Sequence, residues 1–224
     1  MSILANVIKD VWKAVPQMRS SGHQRRYKRL HAFLRQRLAE DLYAETPDAG
    51  HTQVTHDVLE IINNRWGLRG KHVLDVGCGR GVALEKLAEY GAIAKGLTFG
   101  ADYVECKRRG YDVFEMDMSF LEFPDETFDV VWARHSLEHS IFPYFTLHVL
   151  CSALKRGGLL YAEMPAPDTS ANHQMNKNHY SCLTRSSWQS LFERLGLTVL
   201  DTRDLHVQLR CGPDIWYSFY VQKS

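Results

Sequence analysis

The stretch Val73-Leu74-Asp75-Val76-Gly77-Cys78-Gly79-Arg80-Gly81 constrains this chain more than any other. A short apolar strand runs straight into a Gly-x-Gly-x-Gly turn, and the helix-compatible run Val82 to Ala88 follows. Glycine accepts positive φ and carries no Cβ, so a ligand can lie against bare backbone at such a turn. The turn also aims the N-terminus of the next helix at that ligand. Strands and helices alternate from there on, which predicts an α/β fold with a parallel sheet. Ligands of such sheets bind outside the carboxyl ends of the strands.

The dinucleotide fingerprint spaces its glycines Gly-x-Gly-x-x-Gly. Here the third glycine comes one residue early and Val82 occupies the dinucleotide position, which disfavours a dehydrogenase. Asp75 instead completes Asp-x-Gly-x-Gly-x-Gly. Downstream, Ala92 to Leu97 reads as a second strand, Ala101 to Arg109 as a helix, and Val113 to Met116 as a third strand ending at Asp117. Phe123-Pro124-Asp125-Glu126-Thr127-Phe128-Asp129 leads into a fourth strand, with Ser136-Leu137-Glu138-His139 after it. Leu154 to Tyr161 holds a helix end, a Gly157-Gly158 turn and a fifth strand. Together these motifs, from about Gln53 to the C-terminus, resemble the class I S-adenosylmethionine (SAM) dependent methyltransferases, on the small-molecule and sugar-methylating side of that family.

The resemblance implies a Rossmann-like, seven-stranded, mostly parallel sheet with helices on both faces and the last strand antiparallel. Leu197 to Leu200 and Ile215 to Val221 supply strands six and seven, joined through Cys211 to Asp214. It also implies that SAM is the cofactor and S-adenosylhomocysteine the product. Asp75, Gly77, Cys78, Gly79 and Gly81 would hold the methionine half. Thr98 and Phe99 would meet the ribose and one adenine face, Asp117, Met118 and Ser119 the adenine, and Arg134 would lie beside the sulfonium. One position departs from the family, whose second strand usually ends in Asp or Glu. Thr98 offers one uncharged oxygen, and charge-assisted bonds are about twice as strong as neutral ones, so ribose recognition is weaker or is supplied from elsewhere, such as Asp102.

The chain has 224 residues with a formal net charge of +1, an ordinary globular composition for one substantial domain. No apolar run has the length of a membrane span, and no secretory signal pattern opens the chain. Five scattered cysteines without metal-type spacing point to a reduced, cytoplasmic compartment. Charge is uneven. Lys9, Lys13, Arg19, Arg25, Arg26, Lys28, Arg29, Arg35 and Arg37 precede Glu40, with Asp10 the only acid among them. Ile3 to Val15 and Tyr27 to Leu38 carry apolar residues at helical spacing. Residues 1–50 therefore read as a helical extension or cap, and 51–224 as the methyltransferase domain. Thr46 to Thr52 reads as a linker, and Val54 to Trp66 as a helix near the cofactor mouth.

Methyl transfer to a hydroxyl or ammonium requires a base, and histidine titrates in the right range. His139 is the first candidate and His135 the second. Their segment also spells His-x-x-Glu-His, an inverted zinc-protease motif. Its position directly after a buried strand argues against that reading, and no metal is expected. The polar run Pro165 to Tyr180 is long for a connection and suits a binding loop. His173, His179 and Tyr180 are its candidates for holding a polar small-molecule acceptor, sugar-like or a cell-envelope precursor. Two rival readings remain. One is an RNA methyltransferase using the basic N-terminal helices, although the Asn/Asp-Pro-Pro-Tyr type motif is absent. The other is a non-catalytic relative that binds SAM poorly. Oligomeric state is not legible.

Overall fold

The computed structural model describes residues 21–41 and 49–224, and the first expected helix, Ile3 to Val15, lies outside them. Helix α1, Ser21–Asp41, forms one unit. It carries the expected basic residues, and Tyr27 and Phe33 on it are exposed. Everything from Ala49 onward belongs to the second unit.

That unit opens with helix α2, Ala49–Trp66, so residues 49–52 are helical where a linker was expected. Gly50 is tolerated because it falls in the first turn, whose N–H groups have no partner within the helix anyway. Then follow β1 His72–Val76, α3 Val82–Glu89, β2 Ile93–Leu97, α4 Gly100–Arg108, β3 Val113–Phe114, β4 Phe128–Arg134, α5 Pro143–Ala153, β5 Leu154–Pro165, α6 Arg185–Arg194, β6 Leu197–Leu209 and β7 Gly212–Lys223. The seven strands form one sheet in the order β3-β2-β1-β4-β5-β7-β6. β7 alone runs antiparallel to its neighbours. The hairpin of β6 and β7 is much longer than the sequence indicates, because β6 continues to Leu209.

Strand alternation sorts side chains onto two buried faces. Leu74, Val131, Ala133, Leu160 and Ala162 point to the face covered by α5 and α6. Val73, Val130, Trp132, Leu159 and Tyr161 point to the face covered by α2 and α3. Trp132 stacks on Tyr161 at 4.6 Å, and Tyr161 meets Tyr220 edge-on at 5.1 Å. These rings clamp the middle of the sheet across β4, β5 and β7. The strand ends that carry the candidate site are thereby fixed to a rigid frame. No described helix is long and apolar enough to cross a membrane.

Candidate active site

The register brings Asp75 of β1 beside Gly96 of β2 and Trp132 of β4, so the glycine turn emerges at the centre of the sheet. Its glycines do different work. A Cβ on Gly77, where φ is 76°, would sit 2.9 Å from Ser136 Cβ, so this position lets the turn lie against the segment after β4. A Cβ on Gly79, where φ is 50°, would meet nothing nearer than an Asp102 oxygen at 4.0 Å. Gly79 therefore borders open space, where a ligand fits and a side chain would take its place. Its carbonyl accepts a bond from Cys106 Sγ at 3.2 Å, which anchors the turn to α4.

Beneath the turn Asp75 is 2% exposed, and its Oδ2 has no hydrogen-bond partner. Burial, reinforced by the neighbouring Cys106 thiol, pushes its carboxyl up to about 8. SAM carries an ammonium and a sulfonium, so an unpartnered carboxyl below an open glycine suits it; the residues present fit the cofactor. After β2, Thr98 and Asp102 are both buried, and Asp102 is paired with Arg80 at 3.1 Å. Asp102 thus brings beside Gly79 the carboxylate that Thr98 lacks. Phe99 is half-buried and precedes α4.

In the loop after β3, Asp117 Oδ1 accepts from the Ser119 backbone N–H at 2.7 Å, which leaves its second oxygen for other partners. Met118 is half-buried. The Ser119 hydroxyl is turned inward and shares a hydrogen bond with Thr146 at 2.7 Å. Arg134 is also turned inward. Its side chain is committed to Glu163 of β5, at 2.7 Å, and to Thr55 of α2, at 3.2 Å. The first contact is an ion pair by distance, since Arg134 Nε and Glu163 Oε1 are not aligned as a hydrogen bond.

His135 has a φ of 48°, so the chain turns left-handed there and the one-turn 3-10 helix Leu137–His139 begins two residues later. His135 and His139 therefore do not share the helical face that their spacing permits. His135 lies between two buried glutamates, 3.5 Å from Glu138 and 3.2 Å from Glu163, with Trp216 edge-on at 4.6 Å. Burial opposes charge on this imidazole, but the nearby carboxylates of Glu138 and Glu163 outweigh burial and raise its pKa. Burial likewise works to raise both glutamates, and His135 holds both below the usual value. Arg134, His135, Glu138 and Glu163 thus form a charge-balanced buried group. Glu163 was not legible as part of it, because only the parallel register of β4 with β5 sets it opposite Arg134.

The loop from Pro165 to Tyr180 folds back onto this group. Ser181 N–H donates to Glu138 O at 2.9 Å and its hydroxyl to Ser140 O at 2.6 Å. This staple sets the His179 ring 4.8 Å from that of His139, nearly perpendicular. Burial lowers the pKa of His179 to about 4. His173 stacks on His179 at 5.6 Å and bonds Asp214 of β7 at 2.9 Å. Tyr180 is partly exposed beside them. Asp168, at the start of the same loop, bonds Gln174. An open hollow of about 530 Å³ is lined by Asp168, His206, Gln208 and Asp214, not by the glycine turn.

A model of the family described as a methyltransferase domain matches residues 23–202, well over half of the chain. The ubiquinone biosynthesis O-methyltransferase of Coxiella burnetii (strain Dugway 5J108-111) is 30% identical over 110 residues, which cover 46% of this chain and 47% of that protein. The protein of the same name from Shewanella sp. (strain ANA-3) is 33% identical over 103 residues, 42% of this chain and 44% of that one. The chain thus matches about half the length of these curated relatives. A SAM dependent methyltransferase from Archaeoglobus fulgidus shares the fold with a TM-score of 0.62 at 20% identity, over 76% of this chain and 93% of that one. The 1,6-didemethyltoxoflavin-N1-methyltransferase of Burkholderia thailandensis, solved with S-adenosylhomocysteine bound, aligns with a TM-score of 0.64 at 16% identity, over 92% and 91%. By its sequence, its strand order and its glycine turn, this chain belongs to the methyltransferase-domain family, within the class I SAM-dependent methyltransferases.

Proposed function

We propose that this protein transfers the methyl group of SAM to a hydroxyl oxygen of a polar small molecule, with a polyhydroxylated acceptor such as a saccharide as the preferred class. The observation that carries the reading is the convergence of three histidines, His139, His173 and His179, where the segment after β4 meets the loop after β5, with Ser136 of that segment packed against Gly77 of the glycine turn. SAM supplies an electrophilic methyl on an already activated leaving group. The protein's task is therefore alignment, which contributes on the order of 7–11 kcal/mol, together with handling of the acceptor's proton. The cluster centred on His139 handles that proton. His135 is poorly suited as a base, because two glutamates favour its protonated form, and it serves instead to orient Glu138. His173, His179 and Tyr180 line the acceptor's seat, while Gly79, Asp75, Asp102 and Asp117 hold the cofactor. The relatives named as O-methyltransferases support oxygen as the receiving atom.

The test is transfer of radiolabelled methyl from SAM onto panels of sugars, phenols and RNA. The expected result is labelling of a hydroxylated small molecule. His139→Ala should lose it while S-adenosylhomocysteine affinity stays within about twofold, since a positioned base contributes roughly 10²–10⁴-fold to the rate. Undiminished turnover in His139→Ala would remove that residue from the chemistry. A second reading, an RNA acceptor, draws on the exposed basic residues of α1. Activity on RNA that falls steeply with salt would favour it.

A further inference from the structure

Glu138, His139 and His179 each offer one ligand atom, and these atoms all lie within 4.8 Å of one another. We propose that they form a divalent-cation site for a first-row transition ion such as Zn²⁺ or Mn²⁺, and that the acceptor is held and activated on that ion through a hydroxyl oxygen. The inference rests on the preceding reading of the acceptor's seat; in it the His139 cluster handles the acceptor's proton through the ion it holds, so His139 is a ligand and not the base itself.

The first support is an orphaned group. Glu138 is 1% exposed, and its Oε2 has no hydrogen-bond partner. A buried carboxylate oxygen without a partner is strongly unfavourable, and a cation removes the deficit. The second is the tautomer of His139. Its Nδ1 lies 3.0 Å from the backbone oxygen of Asn178, to which it donates, so the ring's lone pair is on Nε2. Metal-binding imidazoles are held in this way, with the distal N–H on a carbonyl or carboxylate. The third is that the other two residues have outer supports as well. His135 Nδ1 approaches Glu138 Oε1 at 3.5 Å, and the His173 ring, tied to Asp214, stacks on His179. The His179 ring nitrogens make long contacts, 3.3 Å to Asn176 and 3.7 Å to Cys182, which an ion can displace.

Two imidazoles and one carboxylate suit borderline ions, whereas Mg²⁺ and Ca²⁺ prefer all-oxygen sets. Three protein ligands leave positions open for an acceptor, and an acceptor with two adjacent hydroxyls fills two of them. A cation there lowers the pKa of the bound hydroxyl. The hydroxyl proton passes to water, the oxygen forms the new bond to the methyl carbon, and the carbon–sulfur bond breaks with its electron pair remaining on sulfur. The site thus narrows the acceptor class to molecules that present neighbouring oxygens.

The experiment uses the full chain, stripped with chelator and dialysed. Zn²⁺, Mn²⁺ and Mg²⁺ are titrated calorimetrically, and Co²⁺ is followed by its visible absorption. One equivalent of transition ion should bind with Mg²⁺ much weaker, and His179→Ala and Glu138→Gln should each weaken it about 10-fold or more. Binding of S-adenosylhomocysteine should be unchanged in His179→Ala, which serves as the check on folding. Absence of saturable one-to-one binding, or binding that survives both substitutions, would overturn the site. Because neither SAM nor an acceptor is needed for the titration, that failure would leave methyl transfer standing. Activity that resists chelator would overturn the ion's part in the reaction alone.

Discussion

Asp75 is the residue whose chemistry is most displaced by its surroundings. Its carboxyl is raised from 3.8 to about 8, with burial the main cause and Cys106 second. The folded protein therefore holds more protons than the unfolded chain between those values. The contribution of this group is fully present below about pH 4 and is lost as pH rises toward 8, by linkage. Asp75→Asn cannot ionise, so without cofactor its melting temperature should match wild type at or just below pH 4 and exceed it at pH 8. The difference is on the order of a few kcal/mol. Melting curves at the two pH values check it, and equal shifts at both would remove the argument. Glu163 presents the opposite case. It is fully buried and faces both Arg134 and His135. Glu163→Gln leaves two cations with one anion, and should destabilise by about 3–5 kcal/mol, as for other broken buried pairs. Chemical denaturation measures this directly.

At the scale of elements, helix α6 and the hairpin of β6 and β7 close the far edge of the sheet. Thr184 caps α6 by accepting from the Ser187 N–H at 3.3 Å. Thr184→Ala should lower stability by about 1 kcal/mol and leave cofactor binding unaltered, a contrast that a denaturation curve and a binding titration together resolve. The order of elements and the glycine turn were legible in the sequence, because short apolar runs alternate with helical runs and glycines punctuate them. The long hairpin was not. Leu200 to Leu209 mixes exposed and half-buried residues on an edge strand, so its apolar pattern is diluted. Cofactor candidates could be named from local motifs, since each lies at a strand end. The inward turns of Ser119 and Arg134 depend on partners far along the chain, Thr146 and Glu163, which no local pattern reveals. The grouping of Glu138, His139 and His179 has the same origin, for it is made by the Ser181 staple between two segments about 40 residues apart.

For the whole molecule, the fold supplies a platform and little more. Function thus resides in the grafted site and not in the sheet. In this chain that site has two halves. The turn after β1 offers open backbone at Gly79 above the buried Asp75, and the segment after β4 meets the loop after β5 in a cluster of histidines and buried glutamates. The first half carries the central claim, because the reaction depends on SAM lying where Gly79 has no side chain. Calorimetric titration of the purified chain with S-adenosylhomocysteine, in wild type and in Gly79→Val, with NAD as the control ligand, tests that claim most directly. One-to-one binding by wild type, lost in Gly79→Val and absent for NAD, is the predicted result. Failure of wild type to bind, or Gly79→Val binding with undiminished affinity, would contradict it.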